Sequence, residues 1–307
     1  MRDWNLEYSW LDLHSQKLSS VMAGLGSRYV DCIISKSNTL HGRLRQDPIP
    51  LLDEERRTII SWSAKSACTH VLIWYLQRVG LLTDARAYHR WVHRYRRDVL
   101  YRSSSYKKAR RLLAGEGPSV WTYVKVVRDP VKRCISSYRH AVRYGYEDKK
   151  ISRVLGRRID HIQGFSFEEF LEYLGNCDLR AVNLHHRLQA HPLDSENFAR
   201  IWLINADEKD LEGALADIDR QQGLGSIVER PDRIEAIASA ARRHAANVPD
   251  GGSVKDLWRI PLRKTDINNW PSEALRKSEE ASALVRAVYA KDYEMLAWMG
   301  KRAEPCE

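Results

Sequence analysis

The 307-residue sequence lacks any long apolar run. A membrane-spanning helix needs about 20 consecutive apolar residues, whereas the longest apolar run here is Val71–Leu76. The first residues mix acids and bases where a signal peptide has an apolar segment. We therefore expect neither a secretory signal nor a membrane anchor.

Cysteine is scarce, and its spacing follows no known framework. The five cysteines are scattered along the chain without a CxxC pair, which favours neither a disulfide scaffold nor a zinc ribbon. His185, His186 and His191 lie close together in sequence, but no carboxylate or cysteine completes a metal-binding spacing. We expect no metal site and a reducing, cytoplasmic setting.

Common catalytic and nucleotide-binding motifs are also absent from the sequence. It contains no GxxxxGK[ST] loop, no Rossmann GxGxxG and no GxSxG nucleophile elbow. The first absence, with the lack of an obvious magnesium-binding acid, argues against a P-loop kinase. The absence of GxGxxG argues against a dinucleotide-binding enzyme, and the absence of GxSxG argues against an α/β-hydrolase.

Positive charge is plentiful and is concentrated in one segment. The chain has 50 Lys and Arg against 40 Asp and Glu, for a net charge of +10, which suggests an anionic partner. Residues 86–111 hold ten Lys or Arg and one acid, Asp98. Apolar residues at helical spacing predict one amphipathic helix here: Tyr88, Trp91, Val92, Tyr95 and Val99. Its other face, with Arg86, Arg90, Arg94 and Arg97, is either a solvated surface or a basic lip that attracts an anionic substrate or a membrane surface.

Runs typical of strands alternate with runs typical of helices along the chain. The predicted strands are Arg57–Trp62, Val120–Val127 and Ala199–Ile204, and the predicted helices are Thr69–Gly80, Pro130–Arg143, Glu208–Gln222 and Ser272–Trp298. This alternation predicts an α/β fold with a mainly parallel sheet flanked by helices. We expect a single domain over 1–307, with an N-terminal extension over 1–55 and a basic helical insert over 83–118.

A small-residue loop, 63–70, follows the first predicted strand and opens a helix. Such a loop exposes backbone N–H groups at the positive end of the helix, where they bind phosphate or sulfate. Lys65 adds a cation, and Ser66 and Thr69 add hydroxyl donors. The simpler interpretation is a helix start with an exposed lysine.

A second anion-binding segment begins at Arg128, where the next predicted strand ends. Ligands of open α/β sheets bind at this carboxyl edge. Asp129 is a good helix N-cap, and Pro130 suits the first helical turn. Arg133 and Ser136 then share a helix face and offer a guanidinium and a hydroxyl to one phosphate. Two such segments in this order make coincidence a poor explanation.

The two segments together resemble the signatures of sulfotransferases that use 3′-phosphoadenosine-5′-phosphosulfate (PAPS). In the membrane-associated carbohydrate sulfotransferases, of the family 2 type, a P-K-x-G-[CS]-[TS] loop precedes R-D-P-x-x-R-x-x-S-x-Y. This sequence has A-K-S-A-C-T at Ala64–Thr69 and R-D-P-V-K-R-C-I-S-S-Y at Arg128–Tyr138. The second segment matches at every defined position, whereas the first has Ala64 for proline and Ala67 for glycine.

Two shorter segments extend the resemblance in the same order. Asn183–Gln189 looks like the family's x-x-H-W-x-P-Q, with His186 for tryptophan and Leu188 for proline. Val288–Leu296 is similar to its closing Y-A-x-D-[YF]-E-L-F. The resemblance thus covers roughly Arg56 to Trp298 and leaves the N-terminal extension and the basic insert without a counterpart.

The resemblance implies a P-loop-like sulfotransferase fold and transfer of a sulfuryl group from PAPS to a hydroxyl of a carbohydrate or glycolipid. Lys65 would neutralise the leaving phosphate, and Arg128, Arg133 and Ser136 would bind the 3′-phosphate. The implied donor-binding set is Lys65, Ser66, Ala67, Cys68, Thr69, His70, Arg128, Arg133 and Ser136. No metal is needed. His185 is our candidate for the catalytic base, with His70 and His140 in reserve.

An alternative interpretation rests on the basic segment. Arginines interleaved with aromatic residues also suit a non-enzymatic protein that binds nucleic acid or another polyanion. Animal relatives in the family carry an N-terminal Golgi anchor, which we do not find here. We therefore expect a bacterial, cytoplasmic enzyme that contacts the inner membrane only peripherally, if its acceptor is lipid-linked.

Overall fold

A four-stranded sheet organises the part of the chain that the computed structural model describes, namely residues 39–160, 162–207, 210–224, 254–267 and 272–303. The strands, in order across the sheet, are β1 (Leu51–Asp53), β2 (Thr58–Ser61), β3 (Thr122–Val127) and β4 (Arg200–Asn205). β1 runs antiparallel to β2, whereas β2, β3 and β4 are parallel. The predicted α/β fold with a mainly parallel sheet is confirmed, and the three predicted strands are all present.

Helices flank this sheet along the chain. The described α-helices are α1 (Leu40–Arg43), α2 (Cys68–Arg78), α3 (Leu82–Tyr88), α4 (Val92–Asp98), α5 (Ser104–Glu116), α6 (Pro130–Tyr144), α7 (Asp148–Leu155), α8 (Phe167–Gly175), α9 (Leu211–Gln221), α10 (Ser272–Arg276), α11 (Glu279–Val288) and α12 (Ala290–Arg302). Among the described residues, no helix is long and apolar enough to cross a bilayer.

Both faces of the sheet are covered, which is why most residues of its strands are buried and apolar. In β3, Val124 and Val126 pack in a cluster with α2, α3, α4 and α9. Tyr123 and Val127 point the other way, into a cluster with α5 and α12. A third cluster joins α6, α7, α8 and α11 beside the sheet.

The amino-terminal edge of the sheet is held by a buried charge network. Arg78, at the end of α2, donates from Nε to Asp53 at 2.8 Å and from Nη1 to Asp219. The Gln222 amide bonds the Thr58 hydroxyl and Arg78. This network ties β1, β2, α2 and α9 together and leaves the opposite, carboxyl edge for the loops described below.

Two predicted helices are interrupted. The predicted single helix over Ser272–Trp298 is wrong, because Ser278 caps a new helix and Tyr289 separates α11 from α12. The predicted amphipathic helix within 86–111 is also wrong: the backbone is extended at His89, with φ −163°, and Ser103 caps α5.

The N-terminal extension is partly described. Residues 1–38 lie outside the described residues, but β1 and α1 fall within the predicted extension and pack with the rest of the fold. A three-residue strand is too short to show the alternating pattern that a sequence reveals. The bounds of the extension and of the basic insert stay a prediction.

Candidate functional site

The loop between β2 and α2, the first predicted anion-binding segment, turns through left-handed residues. Lys65 has φ 69° and Ala67 has φ 52°, and Ala67 is the N-cap of α2. A left-handed conformation costs a residue with a Cβ about 1–2 kcal/mol, so glycine suits this position in the similar motif. No side chain caps the helix, and the N–H groups of its first turn have no intrahelical partner.

The second segment lies beside the first, because β2 and β3 are parallel neighbours. Asp129 caps α6 by accepting from the Lys132 N–H at 2.9 Å, and Pro130 is the first helical residue, as predicted. The Arg128 guanidinium donates to the Lys65 carbonyl at 3.1 Å and to Asp207 Oδ1 at 3.0 Å. Asp207, which follows β4, thus orients Arg128 across the carboxyl edge of the sheet.

Gln189 connects the two segments through its side-chain amide. Its Oε1 accepts from the Arg128 backbone N–H at 2.9 Å and from the hydroxyls of Ser63 and Ser66 at 3.2 and 3.1 Å. Its Nε2 donates to the Arg128 carbonyl at 2.8 Å. The side chain is 1% exposed, so one buried amide fixes the distance between the two loops.

The backbone N–H and carbonyl groups of Gln189 are also hydrogen-bonded to buried charged side chains. Its N–H donates to the buried Asp292 at 2.7 Å, and its carbonyl accepts from the Lys125 ammonium at 2.8 Å. Lys125 lies within β3 and also pairs with Asp194 at 3.0 Å. The side-chain amide of Gln189 therefore cannot move without disturbing the buried charges of Asp292 and Lys125.

Lys65 contributes a cation to the first loop. Its side chain is half-buried and makes no hydrogen bond or ion pair with any described residue. Burial, together with the smaller effects of the nearby charges of Arg128, Arg143 and Arg139, lowers its pKa to about 8. Such concentrated positive charge is costly unless an anion compensates it.

Ser136 and Arg133, two of the three residues proposed to bind the 3′-phosphate, differ in their burial and in their hydrogen bonds. The Ser136 hydroxyl is half-buried and has no hydrogen-bond partner within the described part of the chain. Arg133 is 1% exposed, and its guanidinium donates to the carbonyls of Ala64 and Arg187. Arg133 therefore supports the first loop from behind, and its predicted binding of the 3′-phosphate stays a prediction.

His185 lies near enough to Lys65 and Arg133 for their charges to act on it, and it is neutral near pH 7. Burial lowers its pKa to about 4, and the charges of Lys65 and Arg133 act in the same direction. Asn183 Oδ1 accepts from the His185 backbone N–H at 3.1 Å and bonds its Nδ1 at 2.8 Å. Because that oxygen is an acceptor, Nδ1 carries the proton and Nε2 keeps a lone pair that can take a proton from a substrate.

The other histidines occupy supporting positions. His140 stacks on His185 with ring centroids 4.0 Å apart. The His70 ring lies 3.6 Å from Glu212 on α9. His70 therefore contacts α9, although it comes just after Lys65 in sequence. His186 and His191 are buried. Within the described ranges, no three His, Cys, Asp or Glu side chains are placed so that they could hold a metal ion.

Thr69 and Cys68 both contact His93, a residue that no sequence motif singled out. His93, from α4 of the basic segment, bonds the Thr69 hydroxyl at 2.9 Å and lies 3.9 Å from the Cys68 sulfur. Burial lowers its pKa to about 3, with further contributions from Arg96 and His185. The basic segment therefore forms one wall of the site.

Comparison with known proteins supports one family. The model described as the sulfotransferase family matches residues 72–298, which is more than half of the chain. The match contains Arg128, His185 and Gln189 and begins just after the Lys65 loop. No curated protein and no solved structure matches the chain.

Proposed function

Because the chain belongs to the sulfotransferase family and transfers sulfuryl groups, we propose that its donor is PAPS and its acceptor a hydroxyl of a carbohydrate or glycolipid. The observation that carries the proposal is the Lys65 ammonium, which has no partner among the described residues and lies beside Arg128 where two parallel strands end. A donor with a 5′-phosphosulfate and a 3′-phosphate supplies an anion for each of the two loops.

The residues present fit such a donor. Lys65 and the free N–H groups at the start of α2 would hold the 5′-phosphosulfate. Arg128 and the Ser136 hydroxyl would hold the 3′-phosphate, which distinguishes PAPS from ATP. Gln189, Arg133 and Asp207 would keep these groups in place before the donor arrives.

The reaction is an in-line displacement at sulfur. The acceptor oxygen forms a bond to sulfur while the bond from sulfur to the bridging phosphate oxygen breaks, and adenosine 3′,5′-bisphosphate leaves. His185 Nε2 would take the proton of the acceptor hydroxyl. Lys65 would stabilise the negative charge that develops on the leaving phosphate, because a half-buried cation is screened less by water than an exposed one.

The proposal is tested by following the sulfuryl group. The enzyme is incubated with PAPS carrying radioactive sulfur and with a panel of carbohydrates and glycolipids. We expect labelled acceptor and adenosine 3′,5′-bisphosphate in equal amounts, and neither above background with Lys65→Met. Transfer of phosphate from labelled ATP, with no transfer from PAPS, would contradict the proposed donor.

The lowered pKa of Lys65 predicts how donor affinity depends on pH. The ammonium is charged below about pH 8 and loses its proton above it, well before an ordinary lysine does. Affinity for adenosine 3′,5′-bisphosphate should therefore fall by up to about tenfold between about pH 8 and about pH 9. Calorimetric titration at several pH values checks this, with Lys65→Met expected to show weaker binding and no such fall. Constant wild-type affinity over that range would count against Lys65 as the anion ligand.

A further inference from the structure

Two histidines near His185, namely His140 and His186, take part in hydrogen bonds that the proposed transfer step does not use. The Ser137 hydroxyl donates to the His185 carbonyl at 2.6 Å and bonds Nδ1 of the buried His186. The Tyr146 hydroxyl lies 3.3 Å from His186 Nε2 and 3.0 Å from His140 Nδ1. Together, these residues form the His140 network: Ser137, His186, Tyr146 and His140. Because the His140 ring stacks on that of His185, the network begins at the backbone of His185 and ends at its side chain.

The direction of each bond in the His140 network follows from the number of hydrogens available. A carbonyl oxygen only accepts, so the Ser137 hydrogen goes to His185, and His186 Nδ1 must donate to Ser137. His186 is neutral near pH 7, because burial, with smaller effects of nearby charges, lowers its pKa to about 2. Its Nε2 therefore accepts the Tyr146 hydrogen. The Tyr146 oxygen is then left to accept from His140 Nδ1.

The His140 network thus gives His140 a defined tautomer. Burial is the largest of the causes that lower its pKa to about 3, followed by the charge of Lys65. The ring is therefore neutral, with its proton on Nδ1 and a lone pair on Nε2. His185 has the same tautomer, because Asn183 holds its Nδ1 proton. The two neutral rings, with centroids 4.0 Å apart, stack without charge repulsion, and each limits the rotation of the other.

We propose that the His140 network positions His185, and that Tyr146 is the residue on which this positioning depends. The inference rests on the proposed function, in which His185 is the base. The Tyr146 hydroxyl bonds both other rings of the network, so without it the His140 ring is free to rotate and no longer gives His185 a fixed surface. A base acts efficiently only when its lone pair is held within hydrogen-bond reach of the proton that it takes.

The alternative is a network in which the bonds run in the opposite direction. Glu147 Oε1 is buried without a hydrogen-bond partner among the described residues and lies 3.8 Å from His186 Nε2. A doubly protonated His186 would pair with this carboxylate and donate to Tyr146, whose hydrogen would then go to His140 Nδ1. His140 would carry its own proton on Nε2. The distance of 3.8 Å is longer than a hydrogen bond, and Lys150 already pairs with Glu147 at 3.1 Å, which favours a neutral His186.

The first measurement reads the tautomers on the full chain and needs no acceptor. Long-range proton–nitrogen NMR spectra distinguish a protonated ring nitrogen from a bare one, and the signals are assigned from His140→Gln, His185→Gln and His186→Gln. In the wild type at neutral pH, we expect all three rings to be neutral with the proton on Nδ1. In Tyr146→Phe, which removes only the hydroxyl, His140 should change largely to the Nε2–H tautomer that neutral histidine prefers in water.

The second measurement is turnover with an acceptor that the radioactive sulfur assay identifies. We expect Tyr146→Phe to lower kcat about tenfold, because a misplaced reacting group slows the reaction. KM for the acceptor and affinity for adenosine 3′,5′-bisphosphate should stay unchanged. Tyr144→Phe is the matched control: the Tyr144 ring also lies beside His140, with centroids 4.6 Å apart. Its side chain is exposed, and its hydroxyl has no hydrogen bond with any described residue, so neither the tautomers nor kcat should change.

Four results would overturn the proposal. These are a wild-type His140 with its proton on Nε2, a doubly protonated His186 at neutral pH, an unchanged kcat in Tyr146→Phe, and an equal loss of kcat in Tyr144→Phe. If thermal unfolding shows that Tyr146→Phe does not fold, Ser137→Ala breaks the network at its other end, with the same expected loss. If the network fails while the wild type still transfers sulfuryl groups, the proposed function stands. If the tautomers are as expected but the wild type transfers none, the proposed function has failed, and the inference fails with it.

Discussion

Replacing His185 by alanine is expected to lower kcat by about 100- to 10,000-fold, the usual contribution of a positioned general base. The side chain is neutral at neutral pH, because burial lowers its pKa to about 4, and Asn183 fixes the tautomer in which Nε2 is free. As the proposed base, His185 would act only when an acceptor hydroxyl must lose a proton. Affinity for adenosine 3′,5′-bisphosphate should therefore stay close to that of the wild type.

The matched control is His70→Ala. This histidine follows the Lys65 loop in sequence, but its ring faces Glu212 on α9, so turnover should change little. Steady-state kinetics and calorimetric titration on both variants give the two readouts. Unchanged kcat in His185→Ala, or a larger loss in His140→Ala, would remove His185 as the base.

The second large effect is expected at Gln189. Replacement by alanine removes the acceptor shared by Ser63, Ser66 and the Arg128 N–H, and each buried donor left without a partner costs about 1–3 kcal/mol. The Lys65 loop and the segment that begins at Arg128 then lose the side chain that joins them by hydrogen bonds. We expect affinity for adenosine 3′,5′-bisphosphate to fall by about 10- to 100-fold.

The effect of Gln189→Ala should be greatest for ligands that use both loops. The measurement compares the bisphosphate with adenosine 5′-phosphate and adenosine 3′-phosphate, each of which needs only one loop. The control is Gln222→Ala, which removes an amide that bonds Thr58 and Arg78 at the far edge of the sheet. That variant should lose stability and keep its affinity. Equal losses for all three nucleotides in Gln189→Ala would show that the amide does not couple the loops.

Much of the scaffold was predictable because local sequence determines it. Thr122–Val127 is β-branched and aromatic enough to be read as a buried strand, and Asp129 with Pro130 marks a helix start wherever it occurs. The placement of Lys65 and Arg128 followed, since parallel strands bring their carboxyl ends to one edge. These features depend on short segments and on the rules of sheet topology.

Other features depend on contacts between distant segments. Gln189 lay within a recognised segment, yet only the fold shows that its amide meets two loops more than 60 residues away. Asp207 and His93 carried no signal that sets them apart from surface residues. Arg133 matched the similar motif but proved to be buried behind the loop. The single helix predicted within the basic segment was wrong because the backbone is extended at His89 and a new helix begins after Ser103.

The setting of the enzyme is not fixed by its fold. Its bacterial, cytoplasmic location and any peripheral contact with a membrane stay predictions. Nucleic-acid binding by the basic segment does not by itself account for the family match.

The measurement that tests the central claim most directly is calorimetric titration of the wild type with adenosine 3′,5′-bisphosphate, ADP and adenosine 5′-phosphate. If Arg128 and Ser136 hold a 3′-phosphate while Lys65 holds the 5′-group, the bisphosphate should bind at least about tenfold more tightly than either competitor. Arg128→Ala should abolish that preference. Equal binding of the three nucleotides, or a preference that survives Arg128→Ala, would contradict a PAPS site at this edge of the sheet.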